Sequence, residues 1–460
     1  VKVVPIAAAV AVACLPLYAN AASAGFEDSV RQQLEQLTER LNKLEQENSN
    51  LSSTNEALAS ENAALKAQES AQPARVVTSQ DAVEAQAVAV APVNNEFRRI
   101  ADKDTKSADS SKSVAFKGDL RYRYERIEDD TVNGMGLRTA DRDRQRIRAR
   151  FGVAVKASDN INVAVQLATD ERGGTEDNGD PRSSNVTLGD EFSRKRVDLD
   201  QFYFDWNFTK GFNLQGGKVP LPFKRAGQSF FYDGDVNPEG LAVIFKRGIF
   251  FGTGYAFSVR EVSGLENTNT SDAYMSGLQF GATLPVGSSS LVAAAMFTDY
   301  SAVQNRAPAP FYAGNSNGNI VTAGGLLAND FNIVELSAEF NTKFGNLPFQ
   351  IWADGAQNTE ADDEDTAYGV GVVLGKASDP GTWEVGVGYS KIEADSLFGQ
   401  FVDSDFGAGF TDSEGVAIKG GYAVAKNWVL NGTYFLNKRG VELGQDADYD
   451  RLQLDLNLKF

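Results

Sequence analysis

The sequence has no histidine in 460 residues, and its only cysteine is Cys14. Without imidazole there is no Ser-His-Asp triad, no histidine acid–base chemistry and no histidine metal site. Cys14 lies in a segment expected to be cleaved off, which leaves the mature chain without disulfide or thiol chemistry. No metal, cofactor or enzymatic activity is expected. No apolar run of about 20 residues follows residue 25, so no transmembrane helix is expected either. Positive charge is in deficit, with 44 Lys and Arg against 62 Asp and Glu and a net charge of −18. A chain of that sign is a poor match for the phosphates of a nucleic acid.

The scarce positive charge is concentrated in one place, RDRQRIRARFGVAVK at 142–156. Every second residue from 142 is basic: Arg142, Arg144, Arg146, Arg148 and Arg150. The intervening set runs Ile147, Ala149, Phe151, Val153 and Val155. A period of two is the pleat of a strand with one apolar and one charged face; on a helix these arginines would scatter around the axis. Guanidinium groups cannot be buried dry and unpaired, so the second face needs water or counter-charges.

Residues 1–24 read as a secretory signal, with Lys2, the apolar VVPIAAAVAVACLPL and two A-x-A sites, 19–21 and 22–24. Residues 26–67 carry a heptad. Val30, Leu37, Leu44, Leu51, Leu58 and Leu65 recur every seven, with Leu34, Leu41, Asn48, Asn55 and Asn62 four residues after the first five. This narrow seam predicts a self-associating coiled coil; Asn at its second position leans toward a parallel dimer. Residues 68–112, rich in Ala, Val, Gln, Ser and charge, read as a flexible linker.

From 113 to 460 the alternation recurs in sixteen segments, from SVAFKGDLRYRYER to the closing YDRLQLDLNLKF. Each is about long enough to cross a bilayer as a tilted strand. The connections alternate too. Long ones, such as 127–141, 171–195, 219–240 and 394–413, follow tight ones, such as 157–160, 209–211 and 247–249. Open sheet edges cannot face lipid, so the sheet must close. The expected fold is an all-β transmembrane antiparallel barrel of about sixteen strands. An even strand count places both of its ends at the periplasmic rim, with the coiled coil in the periplasm of a Gram-negative bacterium.

The runs GDLRYRYE (118–125), RDRQRIRARFG (142–152), SSNVTLGDEFSRK (183–195), LDQFYFDW (199–206), GGKVPLPF (216–223) and DGDVNPEGLA (233–242) resemble the bacterial "putative porin" family of outer-membrane barrels. The resemblance is clear over about 113–245 and is one of pattern beyond. It implies an outer-membrane channel for passive diffusion of ions and small hydrophilic solutes, assembled as a homo-oligomer, with a trimer favoured. It also implies that the third long loop, 219–240, folds inward. An alternative is an anchor that ties the membrane to peptidoglycan through the coiled coil.

With apolar faces toward lipid, the arginine ladder lines the lumen, and Arg121 and Arg123 stand beside it. The inward loop carries Lys224, Arg225, Asp233, Asp235 and Glu239, so its acids are expected to oppose the ladder and set a transverse field. Phe230, Phe231 and Tyr232 are candidates to anchor the loop to the wall. The acidic runs 176–180, 360–365 and 403–405 are expected at the surface, as solvated charge or as bridges through divalent cations to lipopolysaccharide.

Overall fold

The computed structural model describes Gln46 and residues 114–133, 135–171, 179–261, 272–308 and 315–460. The signal segment, the coiled coil and the linker lie outside the described residues, except for Gln46, which is helical.

Strands β1 (Val114–Asp129), β2 (Arg142–Ser158) and β3 (Ile161–Asp170) open a single antiparallel sheet. The two-residue β4 (Val186–Thr187) follows, then β5 (Arg196–Thr209), β6 (Phe212–Lys218), β7 (Glu239–Arg247), β8 (Phe250–Arg260), β9 (Ala273–Val286) and β10 (Ser289–Ser301). The sheet continues through β11 (Phe331–Phe344), β12 (Leu347–Asn358), β13 (Thr366–Gly375), β14 (Trp383–Ile392), β15 (Ser413–Ala425), β16 (Trp428–Arg439) and β17 (Ala447–Lys459). β17 then pairs with β1, from Asp119↔Lys459 to Asp129↔Tyr449. The ring is closed, and without β4 it has sixteen strands.

Alternation decides the facing. On β1, Phe116, Leu120 and Tyr122 are exposed, whereas Arg123 and Glu125 are buried inside. On β17, Leu454 faces out at 49% exposure and Arg451, Gln453 and Asp455 face in. Apolar side chains on the outer face of a closed sheet are what a bilayer demands, since the backbone N–H and C=O groups pair within the barrel. At the rim with the tight connections, Gly248 and Gly287 take φ of 62° and 60°, a left-handed geometry that glycine adopts without a Cβ clash.

Two features were not expected from the sequence. β3 ends early, so the upper half of β2 pairs with β4 instead, through Arg146↔Thr187 and Ile147↔Val186. In addition, part of the barrel interior is an apolar core. Phe223, Phe230, Phe231 and Tyr232 from loop 219–238, and Leu397, Phe398, Val402 and Phe406 from loop 393–412, pack against Tyr255, Phe257, Tyr300 and Phe331 of the wall. Two long connections therefore fold into the barrel.

Candidate functional site: an arginine wall faced by two inward loops

The wall is built by β1, β2 and β17. Arg148 and Arg150 share Asp119 of β1, at 2.8 and 2.7 Å. Arg144 pairs with Glu125, which Arg451 also contacts through Nε at 3.1 Å. Arg123 grips Asp455 with two bonds, Nε at 2.7 Å and Nη2 at 2.9 Å. Arg121 donates to Asn457 at 3.0 Å. Strand pairing explains these partners: Arg123 is opposite Asp455 on β17, and Asp119 is opposite Arg150 on β2. The ladder is therefore embedded in counter-charges, as burial of guanidinium requires. Arg142, at the end of β2, has no carboxylate partner among the described residues.

The expected loop residues divide into three groups. Asp235 faces the ladder, at 3.1 Å from Arg150 and 3.6 Å from Arg148. Lys224, Arg225 and Asp233 instead hold the loop in place. Lys224 Nζ reaches Glu339 across the barrel at 2.7 Å, and Arg225 donates to the Tyr232 carbonyl. Asp233 accepts the Ser404 N–H at 2.8 Å and the Asp235 N–H at 2.9 Å. Glu239 does not oppose the ladder. It opens β7 on the outer face, exposed beside Lys218 at 2.9 Å, because it shares the pleat with Leu241 and Val243. Phe230 stacks chiefly on Phe406 of the second inward loop, at 4.7 Å, and meets the wall at Phe435, at 6.0 Å.

That second loop is what the sequence reading missed. The run 403–405 is not a surface bridge for lipopolysaccharide; it lies inside the barrel. Asp405 pairs with Arg451 at 2.8 Å and with Arg123 at 3.4 Å. The two loops are joined by backbone bonds from Asp233 N–H to the Phe401 carbonyl and from Asp403 N–H to the Phe230 carbonyl. Arg182, from the connection between β3 and β5, donates to the Gly409 carbonyl at 2.8 Å. A surface acidic run and an inward one look alike in sequence; the Phe398 and Phe406 that flank this one were the available signal.

Burial and charge split the four inward acids. Burial works against ionisation of Asp405, but Arg451 and Arg123 outweigh it and hold the carboxyl well below the usual range. Asp235 behaves likewise, with Arg148 and Arg150 overcoming burial. Burial and the neighbouring Asp403 push Asp233 well above the usual range. Burial and Asp405 raise Asp403.

Two cavities lie between loops and wall. The inner one, about 160 Å³, is bordered by Arg121, Arg123 and Arg148 on one side and by Asp233, Asp235 and Asp405 on the other. The outer one, about 360 Å³, is bordered by Arg142, Arg144 and Arg146. They share Arg182, Asn185, Ser404 and Asp405 as common boundary.

The "Putative porin" family model matches residues 128–326 and 327–460, nearly the whole described barrel. The chain belongs to this porin family. It is thereby an outer-membrane β-barrel rather than an enzyme, which accords with its apolar outer face. OprB of Pseudomonas putida is similar in fold, with 13% identity and a TM-score of 0.51 over 79% of this chain and 96% of that one. A loop-deleted OmpT, an outer membrane protein of Vibrio cholerae, aligns at 13% identity and a TM-score of 0.44 over 76% of this chain and all of that one. A Rhodopseudomonas blastica porin variant aligns at 11% identity and a TM-score of 0.43, with the same coverage. No curated protein sequence matches the chain.

Proposed function

We propose that this porin forms a water-filled channel for passive diffusion of ions and small hydrophilic solutes. In this reading the path runs between the arginine wall and the two inward loops. The observation that carries it is the pair of polar cavities along that wall, in a barrel whose interior is elsewhere partly filled by an apolar core. Fixed guanidinium groups on one side and Asp235 and Asp405 on the other act across a narrow, low-dielectric gap, where screening is weak. Successive ladder residues are about 6.8 Å apart, within the Debye length of about 8 Å at physiological salt. They are therefore felt together by a passing ion. The long-loop rim is the extracellular one in this proposal. Self-association, with a trimer favoured, and a periplasmic coiled coil rest on the heptad pattern and the family resemblance.

The test is a reversal potential in a planar bilayer under a KCl gradient. Neutralising Arg146, Arg148 and Arg150 together leaves Asp119, Asp235 and Glu171 unbalanced, so selectivity should move toward cations. Asp235→Asn with Asp405→Asn should move it toward anions. A conducting channel whose reversal potential ignores both changes would place the current elsewhere. A purified, folded barrel with no conductance would remove the channel reading.

A further inference from the structure

The two cavities differ in how completely their arginines are paired. The inner one has four arginines, counting Arg182, against four aspartates, counting Asp403. On its described lining the outer one has Arg142, Arg144, Arg146, Arg182 and Arg451 with Glu171, Asp180 and Asp405, and Glu125 just behind the wall pairs with both Arg144 and Arg451. Two of these guanidiniums are incompletely matched among the described residues. Arg142 has no carboxylate partner among the described residues. Arg146 is 7% exposed and spends Nη2 on Glu171 and on the Asn185 carbonyl, both at 2.9 Å. Its buried Nε has no hydrogen-bond partner among the described residues. Burial thus opposes the charge of a guanidinium whose bonding is incomplete, and Arg142, two ladder positions away and exposed at the mouth, lacks a counter-charge among the described residues. Both deficits are met by an anion that brings several oxygens.

We propose that the outer cavity is a capture site for a small oxyanion carrying carboxylate or phosphate groups. This rests on the channel reading above, and it adds a binding step before the constriction. A planar guanidinium fork matches either oxyanion with two parallel bonds, which chloride cannot do. The volume of about 360 Å³ admits a molecule with a handful of carbon atoms. Each arginine of the inner cavity has a carboxylate beside it, Asp455 for Arg121 and Arg123, Asp119 for Arg148 and Asp180 for Arg182, so an anion is held less well there and can leave. Binding at the mouth and release beyond it are what a selective conduit needs.

The experiment uses the full chain in planar bilayers at low KCl, with single-channel current as the readout. Citrate is added in one arm and glycerol phosphate in another, from each side in turn, with uncharged sorbitol as the size control. The expected result is reversible interruption of the current by at least one of the two anions, stronger from the long-loop side and weakened by added salt. Which anion interrupts tells carboxylate from phosphate, and either supports the site. Arg142→Gln should weaken the apparent affinity about tenfold, Arg142→Lys should weaken it less, and Lys210→Gln, at the opposite rim, should leave it alone. Arg142 has no carboxylate partner to lose among the described residues, so its variants should fold; Arg146→Gln then adds to the effect. If sorbitol interrupts equally, or Arg142→Gln changes nothing, the capture site is wrong and the channel stands. If no current is seen at all, the channel reading itself fails and takes the site with it.

Discussion

Asp403 and Asp405 are two residues apart and respond to pH in opposite senses. Asp405, held down by Arg451 and Arg123, stabilises the loop at all pH values above its unfolded value, and that contribution is lost only as acid takes the pH below about 4. Asp403 is raised, by burial and then by Asp405, so its contribution is complete below about 3.9 and is lost as pH rises through the folded value. Its Oδ1 accepts both the Asp405 and the Phe406 N–H, at 3.0 and 3.2 Å. Asp403→Asn keeps that oxygen and removes the charge. Calorimetry in detergent should show a higher Tm for this variant at about pH 7 and little change at about pH 4; equal shifts at both would contradict the assignment. The same two residues mark a limit of sequence reading. Arg121, Arg123 and the ladder were legible because a strand's pleat fixes their side. Asp403 was not, since whether an acid in a loop turns in or out depends on partners far away in the chain; Glu239 was misplaced because it was counted with the loop and not with the pleat of β7, which it shares with Leu241 and Val243.

Among the elements, loop 219–238 is held by a slot as well as by ions. Trp352 of β12 is 1% exposed and lies over the glycine rows of β13 and β14. A Cβ at Gly371 would stand 2.6 Å from its indole nitrogen, and one at Gly388 2.9 Å from its ring. Gly227 of the loop covers the ring so closely that a Cβ there would also strike it. Trp352→Ala should cost about 3–5 kcal/mol where the ring is lost. The loop should then become sensitive to protease while the barrel persists, and the conductance should become larger and noisier. A variant with unchanged proteolysis and current would mean that the ionic contacts of Lys224 and Asp235 suffice alone. The glycines of 369–388 read from sequence only as weak strand residues. Their use as a floor for one indole is a matter of register across three strands, which no local pattern carries.

For the whole molecule, the sixteen strands were legible because a half-lipid, half-water surface imposes its period on every crossing segment. The second inward loop was not, since an inward apolar loop has no period; the first was expected only through the family resemblance. Lipid contact gives a direct check. Leu454 faces outward near the middle of β17. Leu454→Arg should cost about 2–4 kcal/mol and cut the yield of heat-resistant barrel in the outer membrane. Leu454→Ala, which keeps the face apolar, should cut it far less. Similar yields for the two would overturn the facing.

The seam between β1 and β17 joins residues more than 300 positions apart, and it carries Arg123 with Asp455, Arg451 with Glu125, and Arg121 with Asn457. The first strand of the barrel is therefore made long before its counter-charges exist. Until the last dozen residues arrive, Arg123 lacks its two-bond partner and Glu125 lacks one of its two arginines. Insertion strand by strand from the N-terminus would carry these charges unpaired, so the ends are expected to meet before or as the barrel enters. The chain in effect proofreads its own completion. A ribosome-stalled or truncated product ending at 448 should remain outside the bilayer and be degraded in the periplasm, and its appearance as a stable membrane species would show that closure is not the gate.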